Sequence, residues 1–278
     1  MVTVPNVRLN NGVEMPQLGF GVWQVADDEA EKAVAVALET GYRSIDTASA
    51  YENEAGTGRA LRGSGIARDD LFVTTKLFNS DHGYDSTLHA FDASMERLGL
   101  DVLDLYLIHW PMPARDNYVD TWRAFEKLYK DGRIRAIGVS NFTIGTLERL
   151  LAETDVKPVL NQVELHPNFQ QAELRAFHQE HDIRTEAWSP LGQGRGLLED
   201  PELARIAKAH GKTPAQVALR WHVQIGNIVI PKSVTPSRIA ENIDVFDFAL
   251  TDADMAAIAR LDKGERLGPD PATFDWMG

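Results

Sequence analysis

The sequence predicts a (β/α)8 barrel, an α/β fold carrying an N-terminal β-hairpin and two extra helices, as a single domain over residues 1–278. Three observations carry that expectation. Short β-branched runs alternate with amphipathic stretches along the whole chain. From residue 43 onward the starts of these runs lie 25 to 43 residues apart, which leaves room for at least one helix in each gap. The runs at 103–109 and 134–139 are almost wholly apolar, as parallel strands covered by helices must be.

The elements follow in order. Val7-Arg8-Leu9-Asn10-Asn11-Gly12-Val13-Glu14 reads as a hairpin around an Asn-Gly turn. The expected barrel strands are 18–20, 43–46, 71–76, 103–109, 134–139, 159–163, 184–188 and 227–231. Ala30, Ala33, Val34, Ala37 and Leu38 keep helical spacing, as do Tyr118, Trp122, Phe125 and Tyr129, and Ile144, Leu147, Leu150 and Leu151. These stripes face a core and call for no functional reading. The long gap before 227 holds an extra helix, announced by Thr213 at the N-cap, Pro214 at N1 and Gln216 at N3. Another helix starts at Thr251, with Asp254 three residues on.

Composition narrows the function. The chain has no cysteine, so disulfides, thiolate metal sites and thiol nucleophiles are excluded. Its net charge of −13 argues against nucleic acid as a partner. No apolar run reaches membrane-helix length, and Met1-Val2-Thr3-Val4-Pro5 does not open a signal peptide. The expectation is a cytoplasmic protein with no membrane association.

Barrel chemistry sits at the C-terminal ends of the strands. Asp46, Lys76 and His109 end three consecutive strands, and Tyr51 follows on the loop over the same mouth. Any one of them alone is most simply a solvated or structural residue; together they form a site. Asp46 and Lys76 can pair, and the ammonium is expected to lower the phenol of Tyr51 toward neutrality, making it a general acid. His109 can orient a substrate oxygen. This set offers no nucleophile and no metal cage, so a cofactor must supply the reducing equivalent. Gly19-Phe20-Gly21 is not a Rossmann fingerprint. Instead Lys232, Ser233 and Arg238, beside the Thr235-Pro236 helix start, make a local basic pocket for phosphate. Trp188 offers a face for a flat ring, and Asn141 and Gln162 can hydrogen-bond a carboxamide.

These residues fall within stretches that resemble the aldo-keto reductases. Gly41-Tyr42-Arg43-Ser44-Ile45-Asp46-Thr47-Ala48, continuing through Tyr51-Glu52-Asn53-Glu54, is similar to the first family signature. Ile137-Gly138-Val139-Ser140-Asn141-Phe142 is similar to the second, and Ile230-Pro231-Lys232-Ser233 with Arg238, Glu241 and Asn242 to the third. Thr57 departs from the first signature, which has an apolar residue there, but lies outside the chemistry. The resemblance implies a tetrad of Asp46, Tyr51, Lys76 and His109, with Tyr51 the acid, and NADPH as cofactor. It implies cofactor contacts from Ser140, Asn141, Gln162 and Trp188, then Ser189, Leu191, Gln193 and Gly194 of a short glycine-rich loop. It assigns Lys232, Ser233, Val234 and Arg238 to the 2′-phosphate end and Glu241 and Asn242 to the adenine.

Asn161-Gln162-Val163-Glu164-Leu165-His166-Pro167 and Asp244-Val245-Phe246 are similar to the bacterial 2,5-diketo-D-gluconate reductase branch. That implies reduction of this diketo sugar acid to 2-keto-L-gulonate. A general aldehyde or methylglyoxal-type reductase is the alternative, and a non-catalytic NADPH-binding regulatory barrel a further one. A glycosidase would use Glu164 and Asp46, but Lys76 makes Asp46 a poor acid; a zinc hydrolase would need a His-x-His pair, which the sequence lacks. Trp23, Phe78, His109, Trp110 and Trp276 are expected to line the substrate mouth. The short tail after Asp262 is expected to make only a modest lid and leave that mouth open, with Trp276 the one residue that could cover it. A monomer is the family default.

Overall fold

The computed structural model describes residues 3–278, and the chain enters through an antiparallel hairpin. β1 (Asn6–Arg8) pairs with β2 (Glu14–Pro16), Val7 opposite Met15. Gly12 turns the hairpin at φ +87°, a left-handed conformation that glycine adopts without a Cβ penalty.

Eight parallel strands follow, each hydrogen-bonded to its neighbour in sequence order: β3 (Phe20–Gly21), β4 (Ser44–Asp46), β5 (Phe72–Leu77), β6 (Leu103–Ile108), β7 (Ile134–Ser140), β8 (Leu160–Glu164), β9 (Arg184–Trp188) and β10 (Ile228–Val229). The first and last edges meet and close the barrel. Gly19 N–H donates to the Val229 carbonyl at 2.8 Å, Val229 N–H to Gln17 at 3.0 Å and Gly21 N–H to Pro231 at 3.1 Å. Every expected strand is present, its ends within two residues of the sequence reading.

The helices are α1 (Asp27–Thr40), α2 (Glu54–Gly63), α3 (Tyr84–Leu98), α4 (Tyr118–Lys130), α5 (Ile144–Glu153), α6 (Ala172–Glu180), α7 (Pro201–His210), α8 (Pro214–Gln224), α9 (Pro236–Ile243) and α10 (Asp252–Ala259). α7 and α8 share the long β9–β10 connection. Thr213 and Gln216 form a reciprocal capping box, and so do Thr251 and Asp254. None of the helices among the described residues is long and apolar enough to cross a membrane.

Alternation along each strand divides the core. On β6, Tyr106 and Ile108 face the helices, where Tyr106 stacks on Phe125 of α4 at 4.5 Å. Leu105 and Leu107 face the barrel interior, packed with Ala136, Leu160 and Ile228. Leu9 and Met15 of the hairpin join that interior group and plug the N-terminal end of the barrel. Full burial of one such Leu or Met side chain contributes about 1.5–3 kcal/mol. The inward positions nearer the other end carry polar groups.

Candidate active site

Three neighbouring strands bring the acid–base residues together. Asp46 closes β4, Lys76 lies next to the end of β5, and His109 follows β6, its N–H donating to Leu77 at 3.3 Å. Tyr51 ends the short 3-10 turn Ser49–Tyr51, which is tied to β5 by Ser49 Oγ donating to the Lys76 carbonyl at 2.9 Å. Lys76 is fully buried. Its Nζ donates to Asp46 Oδ1 at 2.6 Å, to the Thr47 carbonyl at 2.9 Å and to Tyr51 Oη at 3.3 Å. The Tyr51 and His109 rings meet edge to face at 5.7 Å.

Burial opposes the charge on Lys76, but Asp46 and Tyr51 outweigh it and leave the ammonium above its ordinary range. Burial also raises the Tyr51 hydroxyl above the ordinary phenol value, and Lys76 pulls it back only in part. This corrects the expectation of a phenol lowered toward neutrality. Desolvation depends on how deeply the ring is enclosed, and residue spacing does not measure that. Tyr51 therefore holds its proton at pH 7 and can give it to an alkoxide, a far stronger base. Burial, helped by Lys76 and His82, holds His109 well below its ordinary range, so its ring is neutral. Nδ1 of His109 is enclosed and has no partner. With its one proton on Nε2, the neutral ring has a single donor there and keeps Nδ1 as an acceptor.

Behind the tetrad, Gln162 of β8 donates one amide hydrogen to Asp46 Oδ2 at 2.8 Å and the other to Glu186 Oε2 at 2.9 Å. Only its Oε1 remains for a carboxamide. Ser140 Oγ donates to the Gln162 carbonyl at 2.8 Å. Asn141, held at φ +62°, donates to the His109 carbonyl at 2.9 Å and accepts the Trp188 indole N–H at 2.8 Å. In this structure Asn141 thus fixes both His109 and Trp188.

The loop after β9 is tight. Ser189 and Gln193 have positive φ, and Gln193 Nε2 donates to Ser189 Oγ at 2.9 Å. Leu191 is half-buried and Gly194 exposed. After β10, Lys232 and Arg238 are exposed cations with no acidic partner among the described residues. Ser233 Oγ accepts from Thr235 N–H at 3.1 Å, and Thr235 does not cap α9 with its own side chain. Val234 is exposed, Glu241 accepts the Thr213 hydroxyl at 2.7 Å, and Asn242 is buried.

The tail does not leave the mouth open, which corrects the second expectation. Glu164, buried at the end of β8, accepts the N–H groups of Leu267 at 2.6 Å and Gly268 at 2.9 Å. A Cβ at Gly268 would lie 2.6 Å from the Trp188 ring, so only glycine fits this close approach. The chain then crosses Trp110, whose ring lies 4.3 Å from that of Phe274, and reaches Phe78, which meets Trp276 edge to face at 5.6 Å. Asn79 Nδ2 donates to the Trp276 carbonyl at 2.9 Å. Main-chain hydrogen bonds and aromatic pairs, none of them readable from a tail sequence alone, hold it as a strap. Trp23 and Trp276 remain exposed, while Trp110 and Phe78 are walled in by the tail.

The sequence reading missed three supporting residues. Asn53 donates to the carbonyls of Val22 and Val25, both at 2.9 Å, and fixes the loop that carries Trp23. Glu164 appeared there as a rejected acid and within a motif, without its role in holding the tail. Glu186 gave no signal, because a lone Glu in a strand is usually on the solvent side.

Residues 17–263 match the aldo/keto reductase family. The chain is 59% identical over 274 residues to an aldo-keto reductase of Mycolicibacterium smegmatis, covering 99% of both. It is 52% identical over 269 residues to the methylglyoxal reductase DkgA of Escherichia coli, covering 96% of this chain and 97% of that one. Among solved structures, the NADPH complex of a Gox0644 variant has a TM-score of 0.95 and 51% identity, covering 99% of this chain and 100% of that one.

Proposed function

The chain belongs to the aldo/keto reductase family, and we propose that it uses NADPH to reduce short aldehydes and 2-oxoaldehydes of the methylglyoxal kind to alcohols. The observation that carries this reading is the buried Lys76 ammonium, bonded to Asp46 on one side and to the Tyr51 hydroxyl on the other. When bound, NADPH supplies the hydride.

The residues present fit that cofactor. Lys232 and Arg238, in a chain of net charge −13, have no acidic partner among the described residues, stand beside the first turn of α9, and with Ser233 would hold the 2′-phosphate. Val234, Glu241 and Asn242 lie at the same end and would face the adenosine. Trp188 would carry the nicotinamide ring, its plane fixed by Asn141, with Gln162 Oε1 and Ser140 toward the carboxamide. Main-chain N–H groups at Ser189, Leu191, Gln193 and Gly194 would meet the pyrophosphate.

On the substrate side, His109 Nε2–H orients the carbonyl oxygen and Tyr51 Oη gives it a proton as it becomes an alkoxide. Lys76 stabilises the phenolate left behind, and Asp46 keeps Lys76 charged. The strap narrows the mouth, and its walls at Trp23, Phe78, Trp110 and Trp276 are aromatic. A short, uncharged carbonyl suits them better than a six-carbon sugar acid, whose carboxylate would find no cation on those walls. This favours the methylglyoxal class over 2,5-diketo-D-gluconate.

The test is Tyr51→Phe, assayed by NADPH oxidation with methylglyoxal, 2,5-diketo-D-gluconate and a ketosteroid in parallel. Turnover should fall by about 10²–10⁴ while NADPH still binds. Near-wild-type turnover would sink the assignment of Tyr51, and preference for the sugar acid would overturn the substrate class.

A further inference from the structure

Glu186 lies on β9, its side chain inside the barrel and fully buried. Its Oε2 accepts one hydrogen of the Gln162 amide at 2.9 Å, and the other hydrogen of that amide goes to Asp46 Oδ2 at 2.8 Å. Its Oε1 is enclosed with no partner in the protein. The groups that face it are Asp46 from β4, Lys76 from β5, Tyr51 from the 3-10 turn and the Gln162 amide from β8. On β10 the residue opposite is the apolar Ile228, and the nearby helix α6 directs His178 to Thr185 on the outer face instead.

We propose that Glu186 is a positioning residue of the acid–base centre: its carboxyl pins the Gln162 amide, which in turn holds the Asp46–Lys76 pair against Tyr51. The inference rests on the tetrad reading above. With Glu186 neutral, the buried cluster carries one ammonium and one carboxylate and balances. With Glu186 ionised it carries an uncompensated negative charge in a site where a further negative charge must develop on the substrate oxygen. Burial first, and then the Asp46 carboxylate, push the Glu186 carboxyl up to about 8, so the balanced form is the one present at pH 7. Ionisation also raises the Tyr51 hydroxyl further, weakening it as an acid.

Glutamine keeps the shape and the acceptor oxygen and carries no charge at any pH, and leucine removes the acceptor. In the wild type, kcat for reduction should fall about tenfold as pH rises past about 8. Glu186→Gln should match the wild type at pH 7 and lose that alkaline limb. Glu186→Leu, which leaves a Gln162 N–H buried and unpaired, should lose about tenfold in kcat at pH 7. A second reading does not need activity. The folded carboxyl keeps its proton to higher pH than the unfolded one, so wild-type stability should fall as pH rises from about 4.5 to about 8, and that of Glu186→Gln should not. An alkaline limb unchanged in Glu186→Gln, or a Glu186→Leu protein with wild-type kcat at pH 7, would overturn the proposal. Tyr51→Phe keeps the two readings apart: its full activity would remove the tetrad assignment whatever Glu186 does.

Discussion

At its N-terminal end the barrel is plugged by carbon, with Leu9 and Met15 of the hairpin against Phe72 and Ile228. At its C-terminal end the same strands turn Asp46, Lys76, Gln162 and Glu186 inward. Near the plug the asparagines of the hairpin turn are matched. Asn10 Nδ2 donates to the carbonyls of Pro158 and Asp182, at 3.0 and 2.9 Å, and Asn11 to that of Arg135 at 3.0 Å. At the mouth, His109 Nδ1 and Glu186 Oε1 are buried with no protein partner. Completed bonds leave nothing to react, so the first end contributes stability. The second holds buried charge and unpaired atoms, which lower stability and make proton transfer possible.

Three substitutions would break or sharpen that contrast. Lys76→Met has the largest expected effect, because it strips the mouth of the buried ammonium that Asp46 and Tyr51 share. Turnover should fall by at least about 10²-fold. Denaturant unfolding should show a loss of about 3–5 kcal/mol, because Asp46 is left buried without its partner. Unchanged stability would mean that the charges at this end are not strained against burial. Met15→Ala probes the plug. It should cost about 2–5 kcal/mol in the same unfolding experiment, yet leave kcat per folded molecule at the wild-type value. A fall in kcat there would show the two ends to be coupled. Arg238→Ala is the mildest and touches neither end's core. The lost charge-assisted contact, about 1.5–3 kcal/mol, should appear as weaker NADPH binding with NADH unaffected. An unchanged ratio of kcat/KM for the two cofactors would place the 2′-phosphate elsewhere.

The fold was legible because parallel strands buried on both faces leave continuous apolar runs, and because Thr213 with Gln216, and Thr251 with Asp254, mark helix starts chemically. Asp46, Lys76 and His109 were legible as strand ends, since strand order alone makes them neighbours. What lay beyond reading depended on enclosure or on distant pairing. The inward direction of Glu186 is fixed by the register of β9 against β8, with Gln162 opposite it. The net upward shift of Tyr51 comes from desolvation. Glu164 meets its partners 103 and 104 residues later in the chain.

Glu164 grips the strap through N–H groups, which nearly every residue type possesses. Apart from Gly268, that hold is therefore indifferent to which side chains the strap carries. Phe274 and Trp276 anchor residues 269–278 on Trp110 and Phe78, so exchanges that keep those two aromatic pairs would vary the wall facing the substrate while Asp46, Lys76 and the barrel plug stay as they are. A library confined to the strap is the shortest route to new substrates on this scaffold.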